Sequence, residues 1–230
     1  MIKAVLFDMD GVLIDSELIR LELLQGIFKS MNIIMSDEEY IKFIGTSSHF
    51  MWGTIKDKYN LDYTLEELIK KDRTEYFNYL SSSEMKISPI TGIPELLKAL
   101  HENNIKMAVA SSSPIAVIEL IVESFKFKNY FNELVTGDYV ERSKPEPDIF
   151  LYAADKLGVL PEECIVIEDS CNGVKAAKKA GMKCIGYRNY NSGDQDLSKA
   201  DIIIDSFYNA LNLILIERNK GKVENKNEDL

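Results

Sequence analysis

Two aspartates one residue apart, Asp8 and Asp10, close the apolar run "AVLF" and are followed by Gly11. If that run is a β-strand, its period of two sends side chains 8 and 10 to one side and Met9 to the other. A second acidic pair, Glu168 and Asp169, directly follows another apolar run, "CIVI". Carboxylates converging on one place repel each other unless they are protonated or share a cation. A hard divalent ion resolves that repulsion. Magnesium takes oxygen ligands, keeps several waters and leaves room for a substrate phosphate. Asp8, Asp10, Glu168 and Asp169 are therefore candidate metal residues, with Mg2+ as the expected cofactor. An EF-hand loop is excluded, because its glycine comes sixth after the leading aspartate and here Gly11 is fourth.

Two further groups suit an anion. In "ASSSP" the serines Ser111, Ser112 and Ser113 end an apolar run and precede a helical pattern. A hydroxyl at a strand end followed by free backbone N–H groups is a ready site for phosphate oxygens. Lys144, in "RSKPEPD", sits among prolines 145 and 147 that restrict its backbone. An ammonium held beside Asp8 and a phosphoryl group would neutralise charge in ground and transition states alike.

The elements that must position these groups are short apolar runs near residues 4, 105, 133, 164, 182 and 200. Most lack clean alternation and are rich in valine and isoleucine, as strands covered on both faces are. Helical patterns lie between them, with Pro94, Pro114 and Pro147 near helix starts and Gly158 and Gly181 at expected C-caps. This alternation predicts an α/β fold, a Rossmann-like doubly wound parallel sheet, whose ligands sit beyond the carboxyl ends of the strands. Residues 16–83 break the rhythm. They contain no strand-like run but show helical periodicity, and Ser36 ahead of Glu39 offers a capping box. The expected organisation is a core of 1–15 and 84–217, an α-helical cap domain of 16–83, and a disordered polar tail of 218–230.

The chain has 230 residues with 27 Lys+Arg against 37 Asp+Glu, a net charge of −10. Nucleic acid is therefore an unexpected partner. No apolar run reaches the roughly 20 residues needed to span a bilayer, so no membrane association is expected. The three cysteines lack CxxC spacing and no secretory apolar run opens the chain, which points to the cytoplasm. A monomer or weak oligomer acting on a small phosphorylated metabolite is the expected form.

Together, "DMDGV", "ASSS", "SKPEPDIF" and "IEDSCNG" occur in the order found in the haloacid dehalogenase superfamily. The chain resembles its phosphatase and phosphomutase branch, whose helical insert is a mobile cap. That resemblance implies an aspartyl-phosphate mechanism, with Asp8 as nucleophile and Asp10 as general acid and base. It further implies that Asp8, the backbone carbonyl of Asp10, and Asp169 with Glu168 hold the ion. Ser111, the N–H of Ser112 and Lys144 would hold phosphate oxygens. Arg20 stands where β-phosphoglucomutases carry a cap histidine, Ser48 where they carry an arginine, and Pro114 where they carry a basic residue. Loss of these groups favours hydrolysis of a small phosphomonoester, such as a sugar phosphate, with a sugar phosphomutase as the alternative. Arg20, Thr46, Ser47, His49 and Trp52 are candidate substrate contacts in the cap. From another class, a receiver-like or non-catalytic phosphate-binding protein uses similar residues, but its acceptor aspartate follows a middle strand and it lacks a large insert after the first.

Overall fold

The structure is a computed structural model that describes the backbone of residues 1–227 and the side chains of residues 1–219. It opens with strand β1 (Ala4–Phe7), then runs through α1 (Glu17–Ser30), α2 (Asp37–Tyr40), α3 (Ser48–Tyr59) and α4 (Leu65–Leu80) before the next strand. From there α5 (Ile93–Glu102), β2 (Lys106–Ser111), α6 (Ile115–Ser124), β3 (Glu133–Thr136), α7 (Asp148–Leu157) and β4 (Cys164–Glu168) alternate. The chain continues through α8 (Cys171–Lys179), β5 (Lys183–Tyr187), β6 (Ile202–Ile204) and α9 (Ala210–Asn227).

The six described strands form one parallel sheet in the order β3-β2-β1-β4-β5-β6. This is the α/β, doubly wound arrangement expected from the apolar runs. Period-two alternation divides the strands between two apolar layers. Val5, Phe7, Val109 and Ile167 pack with Leu97, Ile118 and Ile214, whereas Ala4, Leu6, Ala108 and Val166 pack with Phe150, Ala153 and Val174. β1 lies at the centre with both faces covered, so the polar residues that follow it emerge at the sheet's carboxyl edge. Successive strands turn opposite ways from β1, to β2 on one side and β4 on the other, and such a switch point opens a crevice.

The helices between β1 and β2 bury an apolar cluster of their own, with Leu24, Phe28, Met51, Trp52, Ile55 and Leu68. Trp52 is 0% exposed, meets the Phe28 ring edge-on at 5.6 Å and donates its Nε1–H to Asp72 Oδ2 at 3.1 Å. The capping box in this segment is formed by Thr64 and Glu67, while Ser36 contributes only the acceptor for Glu39 N–H. Helix α3 carries His49 and Trp52, two of the candidate substrate contacts. Gly53 and several aromatic or β-branched residues weaken its helical propensity, yet Met51, Trp52 and Ile55 share a buried face. Both connections to the sheet run side by side: Asp15 N–H donates to Ser88 O at 3.0 Å and Ile90 N–H to Leu13 O at 3.1 Å.

α9 continues past residue 217, where composition alone places the start of a polar tail, and reaches Asn227. Ala210 and Ile214 anchor its first turns in the sheet's apolar layer. The end of that tail, residues 228–230, lies outside the described residues. Among the described residues no helix is long and apolar enough to cross a membrane.

Candidate active site

Strand register explains which groups meet. Phe7 pairs with Val109 on β2 and Ile167 on β4, so Asp8 emerges between Ala110 and Glu168. Its N–H extends the ladder to Ile167 O at 3.0 Å. Lys144 arrives from the loop after β3 and is only 2% exposed. Its Nζ donates to Asp8 Oδ1 at 2.7 Å, Glu168 Oε1 at 2.7 Å and Ala110 O at 3.1 Å. Three acceptors thus meet the three N–H donors of one ammonium. Burial alone would lower the Lys144 pKa, but the charges of Asp8 and Glu168 hold it above its ordinary value.

Three carboxylates, Asp8, Glu168 and Asp169, place oxygens within 4.8 Å of one another. Glu168 is largely committed: its Oε2 accepts from Ser170 N–H at 3.0 Å and Ser170 Oγ–H at 2.9 Å. On Asp169, Oδ2 accepts from Ser192 Oγ–H, while Oδ1 is buried without a hydrogen-bond partner. An orphaned anionic oxygen beside Asp8 is what a hard cation would satisfy, so these residues fit a divalent metal. Gly11, with φ of +77°, lies so close that a Cβ there would overlap the Asp169 carboxylate. The Asp10 carboxylate lies outside this three-residue group and is engaged elsewhere, and the metal contact expected of Asp10 is its backbone carbonyl.

One lysine does not offset this much buried negative charge. Burial raises Asp8 to about 7 against the pull of Lys144, with Glu168 adding to the rise. Burial, then Glu168, also push Asp169 well above its usual range. Between the ordinary aspartate value of 3.8 and about 7, folded Asp8 holds a proton that the unfolded chain has released. Stability of the metal-free protein therefore falls as pH rises through that window, and the cost is fully present above it. Metal-free protein is expected to melt several degrees lower at pH 8 than at pH 5.5, and added Mg2+ should recover the loss at pH 8. Calorimetry with and without chelator checks this; a melting temperature indifferent to both pH and Mg2+ would contradict the charge balance.

Asp10 is the meeting point of sheet and helical insert. Its Oδ1 accepts from Ser16 Oγ–H at 2.7 Å and from Tyr76 Oη–H, on α4, at 2.9 Å. Its Oδ2 accepts from Ser113 Oγ–H at 2.8 Å. The serine run divides its labour. Ser111 is buried and accepts the Ser113 N–H at 3.1 Å, while Ser112 Oγ–H donates to Gly45 O at 3.1 Å. Asn172 and Gln195 side chains likewise donate to Ile44 O at 3.0 Å and Ile41 O at 3.3 Å, which seats the 41–45 loop on the sheet's carboxyl edge.

The result is a cleft with Asp8 and Asp10 on one side and residues of the helical insert on the other. Thr46, Ser47 and Arg20 line it, as does Ser48. Arg20 is not free, because Nη1 and Nη2 donate to Asp72 at 3.0 and 3.4 Å. His49 is exposed on α3, since Ser47 caps that helix and turns Ser48 and Met51 inward instead. Trp52 belongs to the insert's apolar core. Ser113, from the serine run, also lines the cleft, as do Glu17, Asp72 and Tyr76, which no sequence motif singles out. Burial, then the charge of Asp10, pushes Glu17 up to about 8.

A parallel sheet switching direction at β1, a carboxylate-lined cleft at its carboxyl edge and a helical insert straight after β1 define a class of doubly wound α/β proteins with a helical insert over the site. The chain belongs to the haloacid dehalogenase-like hydrolase family, whose model matches residues 5–187, and is an enzyme of that class. It is 31% identical over 189 residues to the phosphorylated carbohydrates phosphatase of Thermotoga maritima, covering 80% of this chain and 83% of that one. Identity to the phosphoglycolate phosphatase of Salmonella typhimurium is 27% over 232 residues, with 91% of each covered. The crystal structure of β-phosphoglucomutase from Clostridium difficile superposes with a TM-score of 0.83 at 25% identity, covering 97% of this chain and all of that one.

Proposed function

We propose that this enzyme is a magnesium-dependent phosphatase that hydrolyses a small phosphomonoester through an aspartyl-phosphate intermediate. The observation that carries it is Asp8 on the cleft floor, its Oδ1 held by the buried Lys144 ammonium at 2.7 Å. An Asp8 oxygen attacks phosphorus, forming the aspartyl P–O bond as the bond to the leaving oxygen breaks. Asp10 gives its proton to that oxygen. It then takes a proton from the water that attacks phosphorus and releases inorganic phosphate. Lys144 offsets the charge that gathers on Asp8 and the phosphoryl group, and Ser111 and the Ser112 N–H bind phosphoryl oxygens. Asp8 and Asp169, supported by Glu168 and the Asp10 carbonyl, would hold Mg2+, which supplies Lewis-acid neutralisation of the phosphate. The helical insert excludes bulk water and brings Tyr76 to Asp10.

Hydrolysis is favoured over mutase chemistry because the Arg20 guanidinium is already paired with Asp72. Holding a bisphosphate intermediate demands a cation for its second phosphate. The direct test is phosphate release from a panel of sugar phosphates, nucleotides and small organic phosphates with Mg2+, beside a coupled assay of β-glucose 1-phosphate isomerisation with its bisphosphate. Net, Mg2+-dependent release is the expected result. Isomerisation without release would make the enzyme a mutase, and no turnover of any kind would favour a phosphate-binding role.

A further inference from the structure

Resting on the phosphatase reading above, we infer that the leaving group is neutral and hydroxyl-bearing, that Glu17 anchors it, and that a leaving group carrying a second anion is rejected. The inference comes from the charges on the insert's side of the cleft. Among the described residues lining it, the cations there are Arg20 and Arg73. Both are spoken for. Arg20 forms its two-pronged pair with Asp72, which is 1% exposed, and lies over the Tyr76 ring at 4.3 Å. Arg73 forms another with Asp138, just beyond β3, at 2.8 and 2.7 Å. Each guanidinium already faces a carboxylate, so a carboxylate or second phosphate on the leaving group would have to compete with that pair.

Two polar groups of residues that line the cleft remain unmatched. Glu17 is 6% exposed, lines the cleft, and accepts no hydrogen bond from any described residue. Arg73 Nε is buried and likewise without a partner, a donor that a hydroxyl could satisfy if the side chain turned towards the cleft, while Nη1 and Nη2 stay with Asp138. A hydroxyl both donates and accepts, so it can pair with Glu17 in either protonation state and with Arg73 Nε. Burying an ionised group without a free counter-charge is far costlier than burying a hydroxyl with partners. Leaving a buried Glu17 unmatched also carries a penalty, and this is how a polar pocket discriminates against the wrong ligand.

The test compares kcat/KM for full-length enzyme with Mg2+ on matched substrates: glycerol 3-phosphate against 3-phosphoglycerate, and glucose 6-phosphate against 6-phosphogluconate and glucose 1,6-bisphosphate. Phosphoglycolate, named for the Salmonella relative, is added. The neutral member of each set is expected to be preferred by about 100-fold or more. In Glu17→Ala, the ratio of glucose 6-phosphate to p-nitrophenyl phosphate turnover should fall by about tenfold or more, mostly through KM. That ratio does not depend on how much of the variant folds. Equal use of neutral and carboxylate partners by wild type would overturn the inference, as would an unchanged ratio in Glu17→Ala. If wild type released no phosphate from even p-nitrophenyl phosphate in an Asp8-dependent way, the phosphatase reading itself would fail and take this inference with it.

Discussion

An Asp8→Asn enzyme is expected to release phosphate at least about 10³-fold more slowly than wild type, the scale seen when an activated nucleophile is lost. Asparagine has nearly the same shape, and its carbonyl oxygen can still accept from Lys144. It lacks the anionic oxygen that would bond to phosphorus, and it removes one of three clustered carboxylates from the metal site. The variant should nevertheless fold well. Burial already pushes Asp8 to about 7, so replacing a costly charge by a neutral amide should leave the metal-free protein at least as stable at pH 8. Phosphate release and thermal melting on one preparation separate the two effects. Mass spectrometry of wild type quenched during turnover should also find phosphate on the Asp8 peptide, absent in the variant. Near-normal turnover by Asp8→Asn would remove the nucleophile assignment.

Lys144→Met should damage both stability and activity. The methionine fills similar space but leaves Asp8 and Glu168 facing each other without the ammonium that now lies 2.7 Å from each. Removing one partner from a buried ionic group costs about 3–5 kcal/mol. For a chain of this size, that corresponds to a fall in melting temperature on the order of 10 °C. Adding Glu168→Gln to Lys144→Met should restore part of the loss, because it removes one of the uncompensated charges. The sum of the single changes should therefore exceed the effect of the pair. Activity should remain low in both variants, since the charge opposite the phosphoryl group is missing. A Lys144→Met protein as stable as wild type would show that the ammonium does not balance this cluster.

The helical insert shows where local pattern misleads. Arg20, at the position where the resemblance expects a cap histidine, is a candidate substrate contact. Its charge is instead taken by Asp72, 52 residues further along, and no short-range spacing announces that pair. Trp52 and His49, both candidate substrate contacts, lie on α3, whose register buries the first and exposes the second. α3 itself was hidden because Gly53, Phe50 and Trp52 dilute the helical signal, while the packing that stabilises it comes from α1 and α4. Tyr76 and Asp10 are 66 residues apart, and their contact exists only because the insert folds back over the sheet edge.

The α/β class, the six strands and the family were legible in the linear order of residues, since these depend on local periodicity and on motifs that must follow apolar runs in order. That order also named Asp8, Asp10, Ser111, Lys144, Glu168 and Asp169 as candidates, because each lies at or beside a strand end or in a turn whose neighbours restrict it. Tertiary structure alone decided how those candidates divide. Glu168 is occupied by Lys144 and Ser170, whereas Asp169 keeps one oxygen unmatched; both are acidic residues at one strand end, and only their partners differ. The charge left over in a closed site is a sum over groups brought together from distant parts of the chain, so it appears only when burial and pairing are known.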